Sequence, residues 1–345
     1  MPVLFAQGFS REDSEIILDF VREANHLSTT YRNTVLFIDT PATTHLVDTV
    51  HHLKTEGVRV IFRDHHGVAG EPENVRDEQK QKACQKLEQL LGDDCVITFR
   101  DLHPACSTLV EVGEFADALA IIADPDADGL TAAMKAAGIS YPELDEDAAL
   151  LDSEPAVQMK GSRISSYLAM GLATLPSYDP ERPRERERIQ QKLFSDWVEA
   201  VQGSEAAMER LKELETRYQE ARAVALRLSD SAQKVAEYTV LVDATGNEVF
   251  DVGTLNGVLE GQADTRITVL KKDKGPIAAL HGIQYSLSVA RPFHPQIDLR
   301  KLLPSHANSD PASGIISNVS FLLHVSESVW HEFVLPGLKS GVYRT

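Results

Sequence analysis

Cysteine is scarce in this chain: its 345 residues hold three, Cys84, Cys95 and Cys106, an odd number at no metal-ligand spacing. That excludes a disulfide scaffold and fits a reducing interior. Aromatic residues make up only 6% of the sequence, and 34 Lys and Arg stand against 52 Asp and Glu, a formal net charge of -18. A processive single-strand nuclease needs a basic groove interleaved with aromatics, so this shortage of positive charge disfavours long nucleic acid as a partner. Long apolar runs are missing too. No stretch approaches the roughly eighteen residues of a transmembrane helix, and the start, MPVLFAQGFSRED, has neither a basic nor a long apolar leader segment. The expectation is a soluble cytoplasmic protein with no membrane partner. What is present is 43% hydrophobic residues, enough for a sizeable core and, at this length, for two domains.

The N-terminal half alternates helix-period and strand-like segments. Ser10 with Asp13, followed by Ile16, Ile17, Phe20, Val21 and Ala24, predicts a capped amphipathic helix. TVLFID (34–39) reads as a buried strand. Leu46, Val50 and Leu53 repeat at helical spacing, with one of His51 and His52 facing the sheet and the other water. VRVIF (58–62) reads as a second strand. Strand, helix, strand implies a parallel sheet with its ligands beyond the carboxyl ends of the strands. The pattern continues with a helix near 75–91, a strand at 95–99, a helix capped at Ser107 or Thr108, and the apolar strand ALAIIA (118–123).

The fold expected is therefore α/β. A catalytic domain over 1–178, with a parallel sheet and helices on both faces, is followed by a mixed-charge helical connector over 179–237. A smaller α+β domain, 238–345, completes the chain. Within it, strand-like runs flank turns at Gly246-Asn247 and Lys274-Gly275, and VSFLLHV (319–325) reads as one late strand.

Three of the predicted strands end in acid or histidine at one sheet edge: Asp39, then Asp64-His65-His66, then Asp124, Asp126 and Asp128 in IIADPDADGL. Carboxylates this dense repel one another unless cations lie among them, and oxygen mixed with imidazole suits Mn²⁺ or Mg²⁺. The bland alternatives are an Asp-rich loop that only caps a helix and a pair of solvated histidines. His45, His281, His294 and His331 have no such company, and Cys84 reads as a core residue.

Asp64-His65-His66 after an apolar strand, a lone Asp39 upstream and DADGLTAA together resemble the DHH phosphoesterase superfamily, with the motif order rearranged. The resemblance implies that Asp39 bridges two Mn²⁺ ions, that His65 is a metal ligand and that His66 contacts the scissile phosphate. It further implies that Asp126 and Asp128 each serve one metal. Asp124 stands where the family has either a motif histidine or its last metal-binding Asp; a further ligand is sought at Asp152 or Asp179. SLSVARPF and LPSHANSDPASG resemble a degenerate form of the family's substrate-binding domain, which assigns Arg291 and His306 to the substrate's phosphates and nucleotide. Leu303, Pro304 and Ser305 replace its glycines.

The expected activity is Mn²⁺-dependent hydrolysis of short oligonucleotides, dinucleotides or other small phosphate esters and anhydrides, by two-metal activation of water. A single-strand exonuclease and a decayed nucleotide-binding protein stand as alternatives. A homodimer is compatible with all of this.

Overall fold

The computed structural model describes residues 2–6, 11–27, 32–68, 75–154, 156, 158–176, 185–262, 264–273, 282–304 and 314–344. Ser10, Asp179, His281, Ser305, His306 and the turn at Lys274-Gly275 lie outside them. The chain divides into two compact units. The first comprises Met1–Glu154, Gln158–Ala169 and Trp197–Met208, and the second Pro155–Val157, Met170–Asp196 and Glu209–Thr345.

The first unit is built on five parallel strands: β1 (Val3–Phe5), β2 (Arg32–Ile38), β3 (Arg59–Asp64), β4 (Cys95–Ile97) and β5 (Ala118–Ala123), in the order β1-β5-β2-β3-β4. The fold is α/β, as expected. β1 was missing from the reading of the sequence, because three apolar residues carry no period of their own. Side chains alternate across the sheet. Val35, Phe37, Val60, Phe62, Ala120 and Ile122 pack with residues of α1 (Arg11–Leu27), α2 (Thr44–Thr55) and α3 (Val75–Leu91). Leu36, Ile38, Ile61, Ile121 and Ala123 meet Cys106, Val110, Phe115 and the alanine face of α4 (Ala127–Ala136). Both faces are covered, so these strands read as unbroken apolar runs.

The two middle strands decide where a site can form. From β2 the chain leaves into α2 on one face; from its neighbour β5 it leaves into α4 on the other. Adjacent strands whose helices depart to opposite faces leave a crevice outside their carboxyl ends.

Two local expectations for this unit are corrected. No helix starts at Ser107 or Thr108: Cys106–Leu109 is a single 3₁₀ turn, and the chain then passes through turns with Gly113 at φ +77°. Its hydrogen bonds go elsewhere, the Cys106 N–H to Asp128 and the Ser107 carbonyl to Lys135 Nζ. His51 and His52 are both exposed; Leu53 alone turns inward, and His52 sits 3.2 Å from Glu56.

α5 (Leu144–Ser153) completes the first unit's sequence to residue 154. α6 (Arg163–Ala173), α7 (Glu185–Val201) and α8 (Glu205–Asp230) follow. The second unit carries a six-stranded sheet in the order β10-β11-β9-β8-β7-β6, formed by β6 (Gln233–Ala236), β7 (Thr239–Asp243), β8 (Ile267–Lys272), β9 (Gln284–Val289), β10 (Ile315–Val319) and β11 (Leu322–Ser326). Only the β7–β8 pair is parallel, joined by a crossover through α9 (Val252–Glu260).

Two expectations fail here for reasons of turn chemistry. After Gly246 the chain does not return as a strand: Asp251 accepts the N–H groups of Gly253 and Thr254 and starts α9. VSFLLHV is not one strand either, since Ser320 and Phe321 turn β10 back on β11. No helix among the described residues is long and apolar enough to cross a membrane.

Candidate metal centre

Each strand that ends at the crevice delivers its side chain there by a local device. Asp39 follows β2 at φ +58°, the one described residue other than glycine in the left-handed region, which Asp and Asn tolerate better than other side chains. Asp64 ends β3, and its carbonyl accepts from Thr98 N–H at 2.9 Å, so the triplet is tied to the strand beside it. Gly67 lets the chain pass close to that neighbour, because a Cβ there would stand 2.5 Å from the Thr98 carbonyl oxygen. At α4, Asp126 is the N-cap and accepts the Gly129 N–H at 2.8 Å. A Cβ on Gly129 would lie 2.3 Å from the Asp124 carbonyl oxygen, so glycine is needed for the helix to start this close to the strand end. Asp128 is thereby turned inward.

The result is a buried cluster of donors. Asp39 and Asp64 are fully buried, and His65 and Asp128 are 1% exposed. His65 Nδ1 donates to the His103 carbonyl at 2.7 Å, which leaves Nε2 as the lone-pair nitrogen. That Nε2 lies 3.2 Å from Asp128 Oδ2 and 3.4 Å from Asp39 Oδ1. His66 Nδ1 sits 2.8 Å from Asp64 Oδ1 and 3.5 Å from Asp39 Oδ1. The ligand atoms of Asp39, His65, Cys106 and Asp128 all lie within 4.8 Å of one another, and so do those of Asp39, Asp64 and His66. The two groups share Asp39.

The electrostatics of this cluster are unfavourable as the side chains stand. Neither Asp39 oxygen accepts a hydrogen bond from any N–H or O–H, and Asp64 Oδ2 and His65 Nε2 have no hydrogen-bond partner. Burial, with Asp128, Asp126 and Asp64 adding repulsion, holds the Asp39 carboxyl well above the usual range. Burial does the same for Asp128, although both its oxygens accept from the Cys106 N–H at 3.1 and 3.0 Å. Burial also lowers the pKa of His65, keeping it neutral. Four of the converging lone-pair atoms, both Asp39 oxygens, Asp64 Oδ2 and His65 Nε2, receive no N–H or O–H, a deficit that a divalent cation would resolve. The residues fit one or two such ions.

Comparison with known proteins adds little. No family model and no curated protein matches the chain. Among solved structures, a pGpG-specific phosphodiesterase, PggH from Vibrio cholerae, aligns over 90% of this chain and 99% of that one, at 10% identity and a TM-score of 0.44. A likeness that distant carries no weight for activity.

The fate of the individual expectations differs. Asp39, Asp64, His65, His66 and Asp128 converge. Asp126 commits one oxygen to capping α4 and acts on Asp39 and Asp128 through its charge; neither it nor Asp124 belongs to the two ligand groups. Asp152, on α5, is held by Arg100 at 2.9 Å, and burial raises its pKa. Arg291 is exposed at the end of β9, where its charge acts on Glu260 of its own unit. Three residues escaped notice in the sequence. Arg100, half-exposed, reaches His66 Nε2 at 3.0 Å as well as Asp152. His103 orients His65 through its backbone, and Cys106 joins the first ligand group. For Arg100 a signal existed, as the first charged residue past the strand at 95–99. For Cys106 it lay only in its adjacency to Ser107-Thr108.

Proposed function

We propose that the protein is a divalent-cation-dependent phosphoesterase of the DHH type, acting on small substrates such as short oligonucleotides, dinucleotides or nucleotide anhydrides. The observation that carries this reading is the pair of ligand groups joined at Asp39, at the crevice where an α/β sheet of this topology binds its ligands. Cations held there supply a charge clamp for phosphoryl oxygens and ease the loss of a proton from water. Asp39, His65 and Asp128 would hold an ion at the deeper position, and Asp39, Asp64 and His66 one at the shallower. The His103 carbonyl keeps His65 in the tautomer that presents Nε2. The Arg100 guanidinium, beside His66 and half-exposed, offers a fixed cation to a phosphate entering the crevice.

The net charge of -18 favours short substrates, since long polyanions meet repulsion over most of the surface. Arg291 remains the proposed phosphate contact of the second unit.

The test is hydrolysis of a chromogenic phosphodiester with and without Mn²⁺, Mg²⁺ and Zn²⁺. A panel of short oligonucleotides, cyclic dinucleotides, dinucleoside polyphosphates and polyphosphate follows. Turnover that appears with cation and vanishes with EDTA is expected. A folded protein inert toward every member of the panel under every cation would remove the reading.

A further inference from the structure

Cys106 is the residue of this centre that neither its composition nor the proposed reading accounts for. It is fully buried, and its backbone N–H binds both oxygens of Asp128. Its sulfur lies within 4.8 Å of the ligand atoms of Asp39, His65 and Asp128. Two donors bound to one ion are separated by at most about 4.4 Å, the sum of a metal–sulfur distance of about 2.3 Å and a metal–oxygen distance of about 2.1 Å. In a tetrahedral site the same two donors stand about 3.6 Å apart, so side-chain shifts of about an ångström would gather the four atoms, all within 4.8 Å of one another, around one ion. The other three donors converge on the same point: His65 Nε2 and both Asp39 oxygens, all deeply buried, accept from no N–H or O–H, the Cys106 thiol itself stands in hydrogen-bond reach of Asp39, and Asp128 Oδ2 lies 3.2 Å from that Nε2. Cys106 packs in the same apolar cluster as Leu36 and Ile121, and its sulfur stands at the polar end of that cluster, beside the unsatisfied acceptors.

We propose that Cys106 binds metal as a thiolate, so that the deeper position, with one sulfur, one nitrogen and two carboxylates, selects a borderline ion of the Zn²⁺ type over Mn²⁺ or Mg²⁺. This rests on the cation-centre reading above and refines it. Four donors of mixed N, S and O character match the tetrahedral preference of Zn²⁺, whereas Mg²⁺ and Mn²⁺ favour oxygen-rich octahedra. The shallower group, Asp39, Asp64 and His66, has no sulfur and keeps the harder preference, so the two positions of one centre differ in the ion they take. On binding, the Cys106 S–H bond breaks and its proton passes to solvent. One metal–sulfur bond forms, and no oxidation state changes.

The test uses the full chain stripped with chelator and titrated with Co²⁺, a spectroscopic stand-in for Zn²⁺. A near-ultraviolet sulfur-to-cobalt charge-transfer band is expected in the native protein. The band should persist when Cys84 and Cys95 are both changed to Ala and vanish in Cys106→Ser. Chelator competition should show Cys106→Ser losing Zn²⁺ affinity by at least the roughly 10–100-fold that loss of even an outer-sphere partner causes. Its Mn²⁺ affinity should change far less. Because the band is read in the native chain, the proposal does not depend on Cys106→Ser folding. Co²⁺ bound without the band, or a band that follows Cys84 or Cys95, overturns the sulfur ligand and leaves the cation centre standing. No Co²⁺ binding at all overturns both.

Discussion

Asp39 combines two costs at one position: a backbone in the left-handed region and a buried carboxylate that accepts from no N–H or O–H. Such costs concentrate where function requires them. Asn accepts the same backbone conformation and carries no charge. Asp39→Asn should therefore be more stable than the native chain in chelator, by about 1–3 kcal/mol, while losing all stabilisation by added cation and nearly all turnover. Asp39→Ala should be less stable than Asp39→Asn, because the left-handed conformation costs a residue with Cβ and no local hydrogen bond about 1–2 kcal/mol. Urea unfolding of the three proteins in EDTA measures both differences. An Asp39→Asn chain weaker than native there would mean that the carboxylate is satisfied in a way the geometry does not reveal.

Among the elements, the second unit's sheet holds an acid-sensitive strand. His324 on β11 pairs across to Ser286 of β9, Nδ1 lying 2.8 Å from the hydroxyl, and burial followed by the charge of Lys272 on β8 lowers its pKa to about 4. Lys272 is itself lowered to about 8, by burial and then by Arg186. The unfolded chain protonates His324 near pH 6.5 and the folded one does so only near 4, so this group costs nothing above that window. Stability is lost as pH falls through it, by on the order of 3 kcal/mol at about 1.4 kcal/mol per unit. His324→Gln keeps a hydrogen-bonding group for Ser286 and removes the titration. It should lose visibly less stability than the native chain between about pH 7 and pH 4.5 in paired denaturant titrations. Equal losses would show that protonated His324 is accommodated in the folded sheet.

At the scale of the whole molecule, the division into two units makes the effect of metal specific to one of them. All the candidate ligands lie within residues 1–154. Cation at 100 times its dissociation constant stabilises the state that binds it by about 2.7 kcal/mol. In scanning calorimetry, Mn²⁺ or Zn²⁺ should raise the transition of the first unit and leave that of the second in place, and EDTA should reverse the shift. A trace unchanged by any cation would weigh against an occupied centre more directly than an inactive assay, which depends on the substrate offered.

The sequence by itself determined the strands β2, β3 and β5 and the helices α1 to α4 about them, and with these the parallel sheet and the edge at which Asp39, the 64–66 triplet and Asp128 come together. It could do so because strands buried on both faces are unbroken apolar runs, and the first polar residue after such a run marks the strand's carboxyl end. It also held the donor types, carboxylate and imidazole, that could hold a divalent cation. It could not show β1, whose three residues are a strand only because β5 offers them an edge. Nor could it show that 319–325 folds into two strands, where Ser320 and Phe321 turn the chain inside an apolar run, or that 106–109 stays a 3₁₀ turn, where hydrogen bonds to Asp128 and Lys135 outweigh local propensity. For the same reason Cys106, Arg100 and the His103 carbonyl were invisible as parts of the centre. Their relation to it is one of distance across the crevice, 22 residues from Cys106 to Asp128 and 38 from His65 to His103, and no periodicity records such distances. Which acids face the shared point and which cap a helix, as Asp128 and Asp126 do two positions apart, was decided by the turn of α4 against β5.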